Sequence, residues 1–305
     1  MQKMYKLDPL FKQKIWGGNK IKDLIPKASL DKIGEAWLLC DHEQGKNLPK
    51  EIDDSFLGKK LISSKTNKLN LLLKLISSDD FLSIQVHPSN NYTKLKETEL
   101  GKAEVWYILD AEEDSKIIYG LKQGSNLNAL TDSLKNDTIL KELNELKVSK
   151  GDIIYIPPGT IHAIGKGILL LEIQQNSDTT YRLYDFNRPD LDGNLRELHI
   201  ENSLDVIDFN QMLSIEKSNL WIVNKWWKVI SNEFFYVSEQ LVHGEVVEQQ
   251  SPESMSILYC ISGALEIASE TEKLSMTAGE TIIVSAGIGK YKLSGNAHIV
   301  RTMGA

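Results

Sequence analysis

A glutamine and a histidine two residues apart, Gln85-Val-His87, are followed by Glu104 and then by His162, which closes the segment Gly151-Asp-Ile-Ile-Tyr-Ile-Pro157-Pro-Gly159-Thr-Ile-His162. Two imidazoles, one amide oxygen and one carboxylate are four nitrogen and oxygen donors, a set that suits Zn²⁺ with a position left for water or substrate. With a single carboxylate the site keeps a net positive charge and favours an electron-rich oxygen. The elements around these residues must make them converge. Residues i and i+2 of a strand face the same side, so Phe81-Leu-Ser-Ile-Gln-Val-His87 points Gln85 and His87 into one cavity, with Ser83 in line behind them and Val86 facing the opposite layer. In the later segment a Lys150-Gly-Asp turn leads into the apolar run Ile153-Ile-Tyr-Ile, and a Pro-Pro-Gly corner ends the strand. A strand, a rigid corner and an imidazole are the parts with which a small β-barrel aims a ligand inward.

The second segment matches the cupin pattern of Gly, five residues, Pro, one residue, Gly, two residues, His. The first departs from it. Gln85 stands where typical cupins carry the first His of His-x-His, and the acid lies much further on, in Gly101-Lys-Ala-Glu104-Val-Trp-Tyr. With that departure the chain resembles the class I mannose-6-phosphate isomerases of the short bacterial kind. Further landmarks occur in the expected order: Phe11-Lys-Gln-Lys-Ile-Trp16-Gly17-Gly18, Gly34-Glu35-Ala-Trp37, Leu71-Leu-Leu-Lys74-Leu and Leu171-Glu172-Ile-Gln-Gln-Asn-Ser-Asp178-Thr-Thr-Tyr-Arg182. The resemblance runs from about residue 5 to about 190, with looser agreement to the end.

The resemblance implies one zinc ion per chain on Gln85, His87, Glu104 and His162, and reversible conversion of mannose 6-phosphate into fructose 6-phosphate. In that reaction a proton leaves C2, an enediol(ate) forms, and the proton reaches C1. The carbon acid is weak, so the developing oxyanion needs stabilisation and a base must sit close to both carbons. Glu172 is the candidate proton shuttle and Lys102 its rival. Arg182 is a third catalytic candidate, since a guanidinium binds phosphate or an enediolate oxygen bidentately. Expected substrate contacts are Ser83, Lys102, Arg182, Asp178 and Trp16, although core packing is the commoner role for tryptophans such as Trp16, Trp37 and Trp106. Lys12, Lys14, Lys74, Lys102 and Arg182 all fall in the motif segments and could form one positive pocket.

The expected fold is mainly β, with two cupin-like jelly-roll domains and a helical insertion. Short β-branched or aromatic runs at Leu71 to Ser77, Phe81 to Val86, Val105 to Leu109, Lys116 to Gly120 and Ile153 to Ile156 read as strands. From Ser125 to Lys147 leucines recur at spacings of three and four, which is helical periodicity. The catalytic domain is accordingly placed at 1–120 plus 148–205, the helical insertion at 121–147, and a degenerate second cupin at 206–305. Strands are expected there at Trp221 to Trp227, Phe234 to Val237, Ile257 to Gly263 and Thr281 to Val284. Gly279-Glu-Thr-Ile-Ile-Val-Ser285-Ala-Gly287-Ile-Gly-Lys290 repeats the Gly151 to His162 spacing with Lys290 in place of His162, so this domain is expected to bind no metal.

At 305 residues and a net charge of −7, the chain has room for two domains and the wrong sign for nucleic acid as its main partner. Cys40 and Cys260 are far apart, the N-terminus has no apolar signal core, and the longest apolar runs are too short to span a bilayer. A cytoplasmic enzyme of a small sugar phosphate is therefore expected, off the membrane, as a monomer or weak homo-oligomer. Two other classes remain open from the residues alone, a metal-dependent cupin oxygenase and a non-catalytic sugar-binding cupin.

Overall fold

The structure, a computed structural model, describes every residue except Met1, Gln2, Thr98, Met212 and 219–221. The chain is mainly β, as its alternating patterns require. Two compact units form: one from Phe11–Ala36 and Leu75–Lys217, the other from the chain up to Leu10, Trp37–Lys74 and Ser218–Ala305. The expected division instead put all of 1–120 in the first domain. The chain's first strand, Met4–Leu7, pairs along its whole length with Thr281–Val284, so the N-terminus belongs with the C-terminal barrel. Among the described residues no helix is long and apolar enough to cross a membrane.

Two sheets sandwich the first core. One runs in the order Ile215–Lys217, Asp152–Ile156, Glu104–Ala111, Ile168–Gln175, Leu71–Ser78, Leu10–Gly18, Ile33–Leu39; the other runs Leu143–Lys147, Lys116–Leu121, His162–Ile164, Ile84–Val86, Tyr181–Tyr184. Alternation decides which side chains meet between them. Ile117, Tyr119 and Ile164 from the small sheet pack with Trp106, Ile108, Ile154 and Leu170 from the large one. The intervening residues Ile118 and Ala163 face outward, where Leu130 and Ile139 cover them.

The helical interlude is shorter than its periodicity suggests. Asn126 caps a helix at Leu127–Lys135 by accepting the Asn128 and Ala129 amides, and a 3₁₀ turn follows at Ile139–Lys141. Leu143–Lys147 is a strand instead. Leu143 packs with the outer cluster and Leu146 against the inner one, so leucines three apart serve opposite faces of a strand and imitate a helical repeat. The expected strand from Trp221 fails similarly. Trp221 lies outside the described residues, and Asn224 takes a positive φ of 58° in a turn that exchanges hydrogen bonds with His243, so the strand starts only at Trp227.

In the second unit one sheet folds over on itself. Phe235–Gln249, Ser256–Ala268 and Lys290–Gly304 are 13 to 15 residues long, and each carries a glycine with positive φ: Gly244 at 74°, Gly263 at 82° and Gly295 at 148°. These glycines lie near one line across the sheet, with Gly244 opposite Gly295 and Gly263 opposite Ala297. An extended strand would separate residues eight apart by roughly 26 Å. Gln240 Nε2 nevertheless donates to Glu248 Oε1 at 3.3 Å, because the strand doubles back around the core.

The repeated segment keeps its geometry but not its facing. Gly151 and Gly279 have φ of 89° and 85°, and Gly159 and Gly287 have 86° and 70°. His162 is buried at the start of its strand, whereas Lys290 is exposed and its neighbour Tyr291 is the residue buried in the barrel. The cation that stands in the place of His162 in the sequence pattern is thus turned out of the barrel. A Cβ on Gly263 would lie 2.1 Å from the Asn296 carbonyl oxygen. Gly263→Ala should therefore destabilise this barrel by on the order of 2 kcal/mol, measured as a lower urea midpoint.

Candidate metal centre

Cross-strand pairing puts the donors in a row. Arg182 lies opposite Gln85, Gln85 opposite His162, and His162 opposite Tyr119, so all four share the inward face of the small sheet. From the large sheet Glu104 comes down with Gln174 opposite it, and Trp106 with Glu172 opposite it. His87 sits just past its strand, fixed by the Gly159 amide donating to its carbonyl at 2.9 Å. The rings of His87 and His162 are 4.8 Å apart. Donor atoms of His87, Glu104 and His162 all lie within 4.8 Å of one another, and all three residues are buried.

Both imidazoles meet acceptors on their Nδ1 side, Thr179 O at 3.0 Å from His87 and Thr160 O at 2.9 Å from His162. Burial first, then the charge on Lys102, pushes His87 down to about 3, and burial also lowers His162. A neutral ring has one N–H. Spent on the backbone carbonyl, it leaves Nε2 as a bare lone pair, and His87 Nε2 then faces Glu104 Oε1 at 3.1 Å, lone pair against lone pair. His162 Nε2 lies 3.9 Å from Glu104 Oε2 and 3.2 Å from the Gln85 amide, whose two ends exchange by rotation. The donor set fits a divalent cation placed between these atoms, with the Nδ1 bonds fixing the required tautomer. Burial pushes the Glu104 carboxyl up, but Lys102, His87 and His162 outweigh it and hold it well below the usual carboxylate range.

Of the other expected site residues, Lys102 is 5% exposed and its Nζ reaches Glu104 Oε1 at 2.8 Å and His87 Nε2 at 3.5 Å. Ser83 precedes the strand, yet its hydroxyl still lies 3.4 Å from Gln85 Oε1. Arg182 donates through Nη1 to the Glu197 carbonyl at 2.7 Å, and burial, with Arg196 nearby, lowers its pKa. Asp178 is exposed. Glu172 is only 3% exposed, with Oε1 bound to the Trp106 indole at 3.2 Å. Trp16, expected at the substrate, is a 4% exposed core residue packed with Trp106, because its strand turns it into the sandwich. Of the other basic residues in the motif segments, Lys14 pairs with Glu35 at 3.2 Å and Lys74 stacks over Trp37.

Sequence reasoning passed over Trp106 and His199. Trp106 touches Glu104, Glu172 and His162. His199 Nδ1 accepts the Arg182 backbone N–H at 3.3 Å, and the His199 amide donates back to the Arg182 carbonyl at 2.7 Å. The Glu-x-Trp spacing on one strand was the available signal for the first. The second had none, since 15 residues separate the Arg182 strand from the helix that His199 precedes.

A jelly roll in which two imidazoles, a carboxylate and an amide converge is the layout of a cupin metal centre. Residues 4–115 match the family profile for the phosphomannose isomerase type I catalytic domain, and residues 227–303 match that for the mannose-6-phosphate isomerase cupin domain. The chain is 33% identical to the mannose-6-phosphate isomerase ManA of Bacillus subtilis, covering 96% of both chains. It is 34% identical to the mannose-6-phosphate isomerase of Streptococcus mutans, covering 96% of this chain and 97% of that one. The crystal structure of the Bacillus subtilis mannose 6-phosphate isomerase superposes with a TM-score of 0.84 at 28% identity over 99% of each chain. The chain belongs to the mannose-6-phosphate isomerase family.

The buried imidazoles set an acid limit. Unfolded histidine titrates near 6.5 and His87 folds with a value near 3, so the unfolded state binds more protons between these values and stability falls with pH below 6.5. In metal-free protein each buried ring should contribute a slope of up to about 1.4 kcal/mol per pH unit. Urea unfolding between pH 7 and 5 checks this, with His87→Gln expected to flatten the dependence. An unchanged slope in that variant would contradict the assignment.

Proposed function

We propose that the chain interconverts mannose 6-phosphate and fructose 6-phosphate through an enediol(ate), at a zinc ion held by Gln85, His87, Glu104 and His162. The observation that carries this is the meeting of His87 Nε2 and Glu104 Oε1 at 3.1 Å, two buried acceptors that have no proton of their own between them once Nδ1–H serves Thr179, with the Lys102 ammonium beside both. Family membership supports the reaction and substrate. Lewis-acid polarisation of the sugar oxygens is the chemistry that bound zinc supplies.

The chain's own groups divide the remaining work. Lys102 is the best-placed group to carry the proton between C2 and C1, since its Nζ borders the donor cluster, while Glu172 lies behind the Trp106 ring with one oxygen already bound there. Arg182 is assigned to the negative charge on the enediolate or phosphate. Its place opposite Gln85 puts it on the row of ligands, and the Glu197 carbonyl and His199 fix its strand. Ser83 and Asp178 are proposed as further sugar contacts. Trp16 is left out because it is packed in the core. Two buried thiols outside any disulfide, Cys40 and Cys260, suit a reducing cytoplasm, where we place a monomer or weak homo-oligomer.

The test pairs turnover with metal content. Purified protein should carry about one zinc per chain and convert mannose 6-phosphate in a coupled assay, and a double variant with His87→Ala and His162→Ala should lose both zinc and turnover. Lys102→Ala should lower kcat by about 100-fold or more with zinc retained. A greater loss in Glu172→Gln than in Lys102→Ala would return the shuttle to Glu172. Zinc binding without turnover of the sugar phosphate would favour a non-catalytic sugar-binding role.

A further inference from the structure

We infer that Trp106 is the positioning residue of this centre: its indole N–H holds the Glu104 carboxylate from behind, and Glu172 acts through that indole, not on the substrate. The inference rests on the zinc-site reading above. Trp106 is fully buried, lies two residues from Glu104 on the same strand, and is directly opposite Glu172 on the next. All three side chains therefore share the inward face. The indole Nε1–H is divided between Glu104 Oε2 at 2.9 Å and Glu172 Oε1 at 3.2 Å. The same ring meets His162 edge-on, with centroids 5.4 Å apart and planes at 76°.

The residue type matters more than its bulk. Glu104 is held at both oxygens, Oε2 by the indole and Oε1 by Lys102 at 2.8 Å, which leaves Oε1 directed at His87 Nε2. An indole N–H donates and cannot accept, so the bond cannot reverse and let the carboxylate turn. It is also neutral. A second cation at this position would stabilise Glu104 equally well but would repel a divalent ion, whereas phenylalanine would leave two carboxylate oxygens against an apolar ring. Glu172 supplies the second acceptor for the same N–H. A groove-filling core tryptophan needs none of this, since its N–H need only find one partner.

The experiment reads zinc affinity, by competition with a chromophoric chelator on the full chain. Trp106→Phe, and Trp106 replaced by 3-benzothienylalanine, which keeps the shape of indole without its N–H, should both bind zinc about 10- to 100-fold more weakly. Glu172→Gln, which retains an oxygen to accept the N–H, should stay within about threefold of the unmodified chain, and Glu172→Leu should weaken binding by about tenfold. Thermal unfolding of the zinc-free forms separates this from a packing defect: the benzothienyl protein should melt close to the unmodified one. Zinc binding by that protein within about twofold of the unmodified chain would overturn the inference, as would equal weakening in Glu172→Gln and Glu172→Leu. An unmodified chain that binds no zinc would sink the zinc reading itself, a result distinct from either.

Discussion

Glu104 is a carboxylate with no solvent exposure, and most of the site is the answer to that charge. An isolated buried carboxylate costs many kcal/mol and would take up a proton. Lys102 at 2.8 Å supplies the countercharge and the Trp106 indole a neutral donor at 2.9 Å, so the acid stays ionised inside a sandwich of isoleucine, leucine and tryptophan. Once it is ionised, the two neutral imidazoles complete a set of lone pairs directed at one point. Burial, which opposes the charge on Glu104, is also what strips the proton from His87 and His162. The same low dielectric thus prepares both kinds of ligand.

Antiparallel pairing makes that arrangement rigid. Gln85 and His162 are directly opposed, as are Glu104 and Gln174, and the two sheets bring these pairs face to face across the core. Each ligand's backbone is part of a hydrogen-bonded ladder or, for His87, tied by the Gly159 amide. A site assembled from ladder positions changes little when one loop moves, which suits a reaction that must hold a small sugar against several groups at once.

The second barrel keeps the backbone turns of the His162 segment with a different side chain turned inward. Its Gly279 to Lys290 segment reproduces the backbone turns of Gly151 to His162, yet the inward residue is Tyr291, and Lys290 points to solvent. Its interior combines an apolar cluster with polar groups such as buried Gln240 and the largely buried Glu248–Arg301 pair. The architecture is therefore compatible with metal chemistry without requiring it, and the difference is set by which side chain a strand turns inward.

The sequence by itself determined the candidate ligand types, their strand and corner context, the β class and the family, because each is encoded within a few consecutive residues. Gln85-Val-His87 and the Gly151 to His162 segment needed only the two-residue period of a strand and the stiffness of proline to be legible. Tertiary structure decided what depended on distant pairing. It placed Met4–Leu7 with the C-terminal barrel, turned Leu143–Lys147 from apparent helix into strand, packed Trp16 into the core and put Trp106 between two carboxylates 68 residues apart in sequence. Local patterns fix which face a side chain takes relative to its neighbours. Which strand lies opposite, and so which charge or carbonyl that face meets, follows only from the register of the sheets.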